Sequence, residues 1–266
     1  MARRLKCPRC GHTKYWILRG DRRRWSQCRH DWRPGRLPLR LSSRDWRQVR
    51  GWFVRGMSAQ AIAHETGLRR ERVLRAWTIV RRALQGDVPP VFQGTVEVDE
   101  TSVGGRWRNG RAPRRQRGST RGRGTWNTPV FGILCRGGQV WAQVVPDLAI
   151  KTLYPLIGTH VRRGSVVWTD ALHLYTGIAA KGSVHRLVQH DLGEFRSRHG
   201  THINGLEGFW GYVKRRLAAK GGIRRERLPL DIAEYVWRDN HRHWSTPPQV
   251  KALAQLLKQS PTRWKE

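Results

Sequence analysis

The sequence is poor in acidic residues. Its 266 residues include 52 Lys and Arg but only 19 Asp and Glu, which gives a formal net charge of +33. An enzyme that acts on small molecules does not need such an excess, whereas a polyanionic partner does, and nucleic acid is the commonest polyanion. The charge balance therefore predicts a nucleic-acid-binding protein.

Long hydrophobic runs are also missing. No apolar segment reaches the ~18 residues that a membrane-spanning helix needs, and the first residues, MARRLKCPRC, lack the apolar stretch of a secretory signal. We therefore expect a cytoplasmic, nucleoid-associated protein with no membrane partner. Apolar residues make up only 38% of the chain, but 14 Trp supply enough apolar surface for a folded core.

Cysteine is scarce and unevenly placed. Three of the four cysteines, Cys7, Cys10 and Cys28, lie within the first thirty residues. In a reducing compartment, clustered thiols indicate a metal site rather than disulfides. The segment Cys7-Pro-Arg-Cys10-Gly11 has the spacing of a zinc knuckle, in which a glycine relaxes the turn. We expect residues 1–41 to form a zinc ribbon that binds Zn²⁺.

The sequence does not fix the identity of the fourth zinc ligand. A standard ribbon would place a cysteine at position 31, but the sequence there reads Cys28-Arg-His30-Asp31. Zinc accepts imidazole or carboxylate as well as thiolate, so His30 and Asp31 are both candidates, and His30 is slightly favoured. The alternative is a ribbon that binds zinc poorly and keeps its fold by packing its aromatic residues, which are Tyr15, Trp16, Trp25 and Trp32.

Residues 42–88 have a helical pattern. A first helix carries apolar residues at helical spacing, Ser58 is placed to cap a short second helix, and Gly67 ends it. A longer basic helix follows, which completes the outline of a helix-turn-helix DNA-binding domain. Its N-terminal arginines are the candidates for contacts with bases: Arg69, Arg70 and Arg72.

From residue 91 the hydrophobic period changes to that of strands. Residues 95–99 alternate, residues 130–135 and 140–145 predict a hairpin, and residues 165–168 and 184–188 predict two further strands. Asp147 is placed to cap a helix after the hairpin, another helix is expected between the last two strands, and further helices are predicted at 204–219, 230–243 and 248–257. The order predicts an α/β ribonuclease-H-like domain over 91–246, with a mixed five-stranded sheet, followed by a C-terminal helix or tail over 247–266.

Acidic side chains stand at the ends of predicted core elements. Asp99 and Glu97 share one face of a strand because side chains alternate, and Asp170 ends another strand. The helix after residue 204 carries Glu207 and, two turns later, Lys214. Three carboxylates on rigid elements beside a lysine suit phosphoryl transfer with two metal ions about 4 Å apart.

These motifs carry a resemblance. Val96-Glu-Val-Asp-Glu-Thr101, Trp168-Thr-Asp170 and His202-Ile-Asn-Gly-Leu-Glu-Gly-Phe-Trp210 resemble the bacterial insertion-sequence transposases of the ISXO-like type. That resemblance covers nearly the whole chain and implies a zinc ribbon joined to a DDE-type integrase domain. It implies cleavage at the ends of an insertion sequence and joining of the exposed 3′-OH groups to target DNA, with Mg²⁺ or Mn²⁺.

The resemblance leaves the third catalytic position open, because asparagine can stand there in the family. Asn204 and Glu207 are therefore both candidates beside Asp99 and Asp170, and Glu207 is favoured because a carboxylate holds Mg²⁺ better than an amide. Lys214 is expected to hold a phosphate of the scissile strand.

A Gly/Arg segment interrupts the catalytic pattern between residues 104 and 124. It has eight Arg, six Gly and no acidic residue, so it is suited to contact DNA phosphates. The arginines that we expect to bind DNA there, together with one on the Glu207 helix, are Arg114, Arg115, Arg117, Arg121, Arg123 and Arg215.

Two other functions compete with the transposase. A non-catalytic DNA-binding regulator derived from a transposase explains the charge and the N-terminal half, but it leaves the three acids as coincidence. A hydrolytic ribonuclease-H-type nuclease keeps the acids, but it has less need of a separate DNA-reading domain. Double-stranded DNA is the expected partner, and pairing of two ends favours a homodimer or larger assembly on DNA.

Overall fold

The computed structural model describes residues 7, 9–19, 22–32, 39, 41–87, 91–104, 127–170, 184–188, 204–220 and 224–259, with the backbone alone at 32, 170, 184–188, 204 and 259. The elements in chain order are β1 (Tyr15–Leu18), β2 (Arg22–Trp25), β3 (Asp31–Trp32), α1 (Ser43–Val54), α2 (Ala59–Thr66), α3 (Arg70–Leu84), β4 (Thr95–Val103), β5 (Thr128–Cys135), β6 (Val140–Val144), α4 (Ile150–His160), β7 (Val166–Asp170), β8 (Val184–Val188), α5 (Asn204–Ala218), a short 3₁₀ helix (Arg225–Arg227), α6 (Leu228–Asn240) and α7 (Thr246–Gln259).

The chain divides into two compact units. One contains Met1–Asp87 together with His243–Glu266, and the other contains Val88–Arg242. No helix in the described part of the chain is long and apolar enough to cross a membrane.

The first unit begins with a small antiparallel sheet in the order β1-β2-β3. Trp25, the last residue of β2, is fully buried, and its ring meets the ring of Tyr15 edge-on at 5.2 Å. Trp16 is 52% exposed and therefore does not contribute to this core, so the alternative of a ribbon held together by all four aromatic residues does not apply to Trp16. The side chain of Trp32 lies outside what the structure describes.

The predicted helices of residues 42–88 are present. Ser42 and Asp45 form a reciprocal capping box at the start of α1, and the bonds from Ser42 hold the pKa of Asp45 below its usual value. The Ser58 hydroxyl caps α2 by accepting from the Ala61 N–H, and Gly67 ends α2 at a φ of 70°, a left-handed conformation that suits glycine.

The C-terminal helix belongs to the same unit. Helix α7 packs against α1 and α3, and it buries Leu253 and Leu257. The α1–α3 region is therefore completed by residues that come more than 160 positions later in the chain, a pairing that no local pattern in the sequence indicates.

The second unit is built on the predicted mixed five-stranded sheet, in the order β6-β5-β4-β7-β8. Strand β5 is antiparallel to both β4 and β6, whereas β7 pairs in parallel with both β4 and β8. This mixed sheet with helices is consistent with a ribonuclease-H-like fold. The helix expected between the last two strands falls on residues 171–183, which lie outside the described residues.

The two faces of the sheet bury different clusters. Val96 and Val98 belong to the cluster under α4, while Val103 and Trp168 belong to the cluster under α5 and α6. The odd-numbered positions of β4 therefore face α5, as strand alternation predicts. The predicted cap of α4 needs a small correction: Asp147 accepts from the Ala149 N–H and the Thr152 hydroxyl, but the N-cap residue itself is Ala149.

Helix α6 binds the outermost strand, β6, through a side-chain amide. Asn240 accepts a hydrogen bond from the Val140 N–H at 2.8 Å and donates one to the Val140 carbonyl at 2.9 Å. An exposed strand edge presents unpaired backbone groups, so this contact satisfies both groups of one edge residue and ties α6 to the sheet.

Candidate active site

Glu97 is a buried carboxylate that joins three elements. Its side chain is 2% exposed, and its Oε1 accepts from Arg136 Nε at 3.0 Å. Its Oε2 accepts from the backbone N–H of Leu206 at 3.0 Å. The N–H groups in the first turn of a helix have no partner within the helix, so Glu97 satisfies one of them and complements the positive end of the helix dipole. The acid thus anchors the start of α5 to β4.

Asp99 lies two residues further along β4 and is held by a second contact with α5. Its Oδ2 accepts from the indole Nε1 of Trp210 at 2.9 Å, and its Oδ1 accepts from the backbone N–H of Glu100 at 2.8 Å. These two bonds fix the orientation of the Asp99 carboxylate on the strand.

The two contacts match in spacing. Two residues of a strand advance by roughly 7 Å, and the four residues from Leu206 to Trp210 advance by roughly 6 Å along a helix. The later residue of the strand, Asp99, contacts the later residue of the helix, Trp210, so α5 runs alongside β4 in the same direction. Its first two turns are bonded to two side chains on one face of that strand.

Two glycines make this close approach possible. A Cβ added to Gly132, the β5 partner of Asp99, would come within 2.6 Å of the Trp210 ring. A Cβ added to Gly205 would lie 2.9 Å from the Glu97 carboxylate. Sequence reasoning assigned no role to Gly132, Gly205, Trp210 or Arg136, since their roles depend on contacts across the sheet; Gly205 and Trp210 entered only as members of the motif that ends at Trp210.

The strand register relates Asp99 to Asp170. Strands β4 and β7 are parallel, with Glu97 opposite Trp168. The paired residues end at Glu97 and Trp168, and Asp99 and Asp170 each lie two residues further along these neighbouring parallel strands, in the same direction. The side chain of Asp170 lies outside what the structure describes.

Glu207 and Lys214 both lie along one edge of the buried stripe of α5. Trp210 stands at one edge of that stripe, and both Glu207 and Lys214 are exposed. At about 100° per residue, Lys214 and Glu207 lie roughly 40° and 60° round the helix from Trp210, whereas position 204 lies roughly 120° round. Glu207 and Lys214 are thus beside the stripe, on the edge where Trp210 reaches Asp99, rather than on the face of the helix opposite to the stripe. The Asn204 side chain is outside the described residues.

The N-terminal thiols come together as the knuckle pattern predicts. In the described part of the chain, Cys7, Cys10 and Cys28 are the one group of potential metal ligands whose donor atoms gather, all within 4.8 Å of one another. His30 and Asp31 are not part of that group. The Asp31 carboxylate instead accepts from Arg24 at 2.7 and 3.0 Å, and this pairing holds the pKa of Asp31 below its usual value.

Only some of the arginines predicted to bind DNA lie in the part of the chain that the structure describes. Arg69, Arg70 and Arg72 are exposed around the start of α3, although one Arg72 nitrogen donates to the Leu39 carbonyl at 2.9 Å. Arg215 is exposed on α5. The arginines of the Gly/Arg segment lie outside the described residues; these are Arg114, Arg115, Arg117, Arg121 and Arg123.

The contacts predict opposite roles for two glutamates. Replacing Glu97 by Ala removes the partner of Arg136 and of the Leu206 N–H, so we expect the second unit to lose about 3–5 kcal/mol of stability. Glu97→Gln keeps an acceptor and should lose less. Glu207→Gln changes an exposed side chain and should stay within about 0.5 kcal/mol of wild type.

Hydrogen exchange measures these effects locally. Amides of β4, β5 and α5 should lose protection in Glu97→Ala, while those of α1 and α3 should not change. Equal protection of β4 and α5 in Glu97→Ala and wild type would show that Glu97 does not anchor the helix.

Comparison with known proteins agrees with the geometry of the second unit. The family model described as the ISXO2-like transposase domain matches residues 91–240, more than half of the chain. An uncharacterised transposase-like protein of Haemophilus influenzae is 33% identical over 122 residues, which cover 46% of this chain and 96% of that protein. The chain therefore belongs to the family of ISXO2-like insertion-sequence transposases.

Proposed function

We propose that this protein is a catalytically competent transposase that cleaves DNA at the ends of its insertion sequence and joins the exposed 3′-OH groups to target DNA. The observation that carries the proposal is the two-point attachment of α5 to β4. It orients Asp99 on the strand and holds the helix that bears Glu207 alongside the same strand face.

The residues present fit a divalent cation site. The Trp210 indole orients the Asp99 carboxylate, Asp170 ends the strand that pairs in parallel with β4, and Glu207 lies on the Trp210 edge of α5. Carboxylate oxygens are the ligands that Mg²⁺ and Mn²⁺ prefer. When bound there, such a cation supplies Lewis-acid stabilisation of charge on phosphoryl oxygens.

The remaining groups position the DNA. Lys214 lies on the same edge of α5 as Glu207, so its ammonium group is placed to hold a non-bridging phosphate oxygen of the scissile strand. The neighbouring Arg215 faces more towards solvent and is suited to contact the DNA backbone further from the reacting bond. Trp210 acts through Asp99, which it orients, and is therefore a positioning residue.

Glu207 is the better candidate for the third metal ligand. Its position on α5 is closer to the Trp210 edge than position 204, and it is an anion rather than an amide. The alternative functions remain distinguishable by chemistry: a hydrolytic nuclease would cleave end-containing DNA without joining it, and a regulator would bind it without cleaving it.

Substitutions at the carboxylates test the catalytic assignment. Asp99→Ala, Asp170→Ala and Glu207→Gln should each reduce Mg²⁺-dependent joining by a factor on the order of 10²–10³ or more, while DNA binding stays close to wild type. Asn204→Ala should keep most activity. Glu226→Gln, which alters an exposed acid near α6, is the control.

A strand-joining assay on end-containing DNA, over a range of Mg²⁺ concentrations, measures the outcome. Higher Mg²⁺ should partly restore Glu207→Gln if the substitution weakens metal affinity. Near-wild-type joining by Asp99→Ala or Asp170→Ala would refute the metal site, and an inactive Asn204→Ala with an active Glu207→Gln would transfer the third position to Asn204.

We further propose that α2 and α3 read the insertion-sequence end, with α3 in the major groove. The N-terminus of α3 presents exposed Arg69 and Arg70, which is where a recognition helix approaches base edges. The buried stripe of α3, which includes Val73 and Val80, packs inside the unit and leaves these arginines outside.

Loss of a base-contacting arginine should cost about 1–3 kcal/mol for the cognate end and relax specificity at one base pair. We expect this pattern for Arg69→Ala or Arg70→Ala, and not for Lys258→Ala, which removes an exposed charge from α7 of the same unit. Binding titrations against a set of single-base variants of the end distinguish the cases. A uniform loss across all sequences would assign Arg69 and Arg70 to phosphate contacts instead.

A further inference from the structure

The ribbon contains two loops with the same backbone hydrogen bonds. In the first, the Cys7 N–H donates to the His12 carbonyl at 2.6 Å, and the Gly11 N–H donates to the Cys7 carbonyl at 2.9 Å. In the second, the Trp25 N–H donates to the His30 carbonyl at 3.1 Å, and the Arg29 N–H donates to the Trp25 carbonyl at 2.9 Å. The two loops are therefore equivalent, with residues 7–12 matching residues 25–30.

The conformation after each metal-binding cysteine gives the same alignment. Gly11 follows Cys10 with a φ of 76°, and Arg29 follows Cys28 with a φ of 53°. A positive φ is uncommon for an arginine, so the second loop adopts this turn without the glycine that eases it in the first. Cys28 is thus the counterpart of Cys10.

This alignment moves the position of the missing fourth zinc ligand from residue 31 to residue 25. If Cys28 corresponds to Cys10, the residue that corresponds to Cys7 is Trp25, three positions earlier, and not the residue at position 31. An indole nitrogen carries a hydrogen and offers no lone pair to a metal, so Trp25 cannot act as a ligand. Its ring instead fills the core of the ribbon against Tyr15.

The three thiols fit a zinc-like cation. Their sulfur atoms lie within 4.8 Å of one another, and the Arg9 N–H donates to the Cys7 sulfur at 3.4 Å. Backbone donors of this kind stabilise thiolates, which are the form that binds Zn²⁺. Asp31 lies in β3, outside the group formed by the three thiols, and both of its oxygens bond Arg24 instead.

We propose that the ribbon holds one Zn²⁺ through Cys7, Cys10 and Cys28 alone, with Trp25 in the place of the fourth protein ligand and an exchangeable solvent or exogenous ligand completing the coordination. Neither His30 nor Asp31 is a ligand. In this ribbon, the aromatic pair Trp25 and Tyr15 replaces part of the stabilisation that a fourth thiolate would give.

Cysteine insertion at the two competing positions tests the proposal. Full-length protein is titrated with Co²⁺ as a spectroscopic probe and then with Zn²⁺ against a chelator. Trp25→Cys should raise the affinity at least about tenfold and give the absorption of a four-thiolate cobalt site. Asp31→Cys should give neither change. Trp25→His serves as a second variant, because an imidazole also supplies a ligand and retains more of the ring.

Single substitutions in the wild-type background complete the test. His30→Ala and Asp31→Asn should bind Co²⁺ as wild type does, whereas Cys28→Ser should lose most of the affinity. A gain in Asp31→Cys that is absent from both Trp25 variants would overturn the alignment. A loss in His30→Ala would make His30 the fourth ligand, and wild-type protein that binds no cobalt would show that the thiols hold no metal. All of these readouts are independent of transposase activity.

Discussion

The second unit depends on one buried carboxylate. Glu97 connects the central strand β4 to the turn between β5 and β6 through Arg136 and to α5 through the Leu206 N–H. A buried charge is tolerated only when it is paired and hydrogen-bonded, and Glu97 meets both conditions. Because the bond to Leu206 falls in the first turn of α5, it determines where the helix starts relative to the strand. The position of every later side chain on α5 follows from that starting point.

A second contact, between Trp210 and Asp99, holds α5 alongside β4 and also orients the Asp99 carboxylate. Trp210 reaches Asp99 one helical turn after Leu206, and the spacing of the helix and the strand agree closely enough for both bonds to form. Gly132 leaves room for the Trp210 ring and Gly205 for the Glu97 carboxylate. Glu97 and Trp210 therefore fix α5 and the Asp99 carboxylate relative to each other, and under the proposed function this arrangement preorganises the site before a cation or DNA binds.

Much of this architecture could be predicted from local patterns. Period-two alternation located β4, the hairpin of β5 and β6, and β8, and Ser58 and Gly67 marked the ends of α2. The roles of Glu97 and Trp210 could not be predicted, because both depend on partners more than a hundred residues away. The packing of α7 against α1 and α3 could not be predicted either, because these helices are also far apart in the sequence. In the ribbon, spacing alone suggested a missing ligand at position 31, whereas backbone bonds align Trp25 with Cys7.

The central claim is that Asp99, Asp170 and Glu207 hold the catalytic cations together. Iron-mediated cleavage tests it directly. Fe²⁺ replaces Mg²⁺ in full-length protein bound to end-containing DNA. Ascorbate and peroxide then generate radicals that cut the polypeptide backbone near the bound iron. Cuts should cluster near residues 99, 170 and 207, disappear with excess Mg²⁺ and be lost in Asp99→Ala. Cuts elsewhere, or cuts at these positions that persist in Asp99→Ala, would contradict a shared carboxylate site.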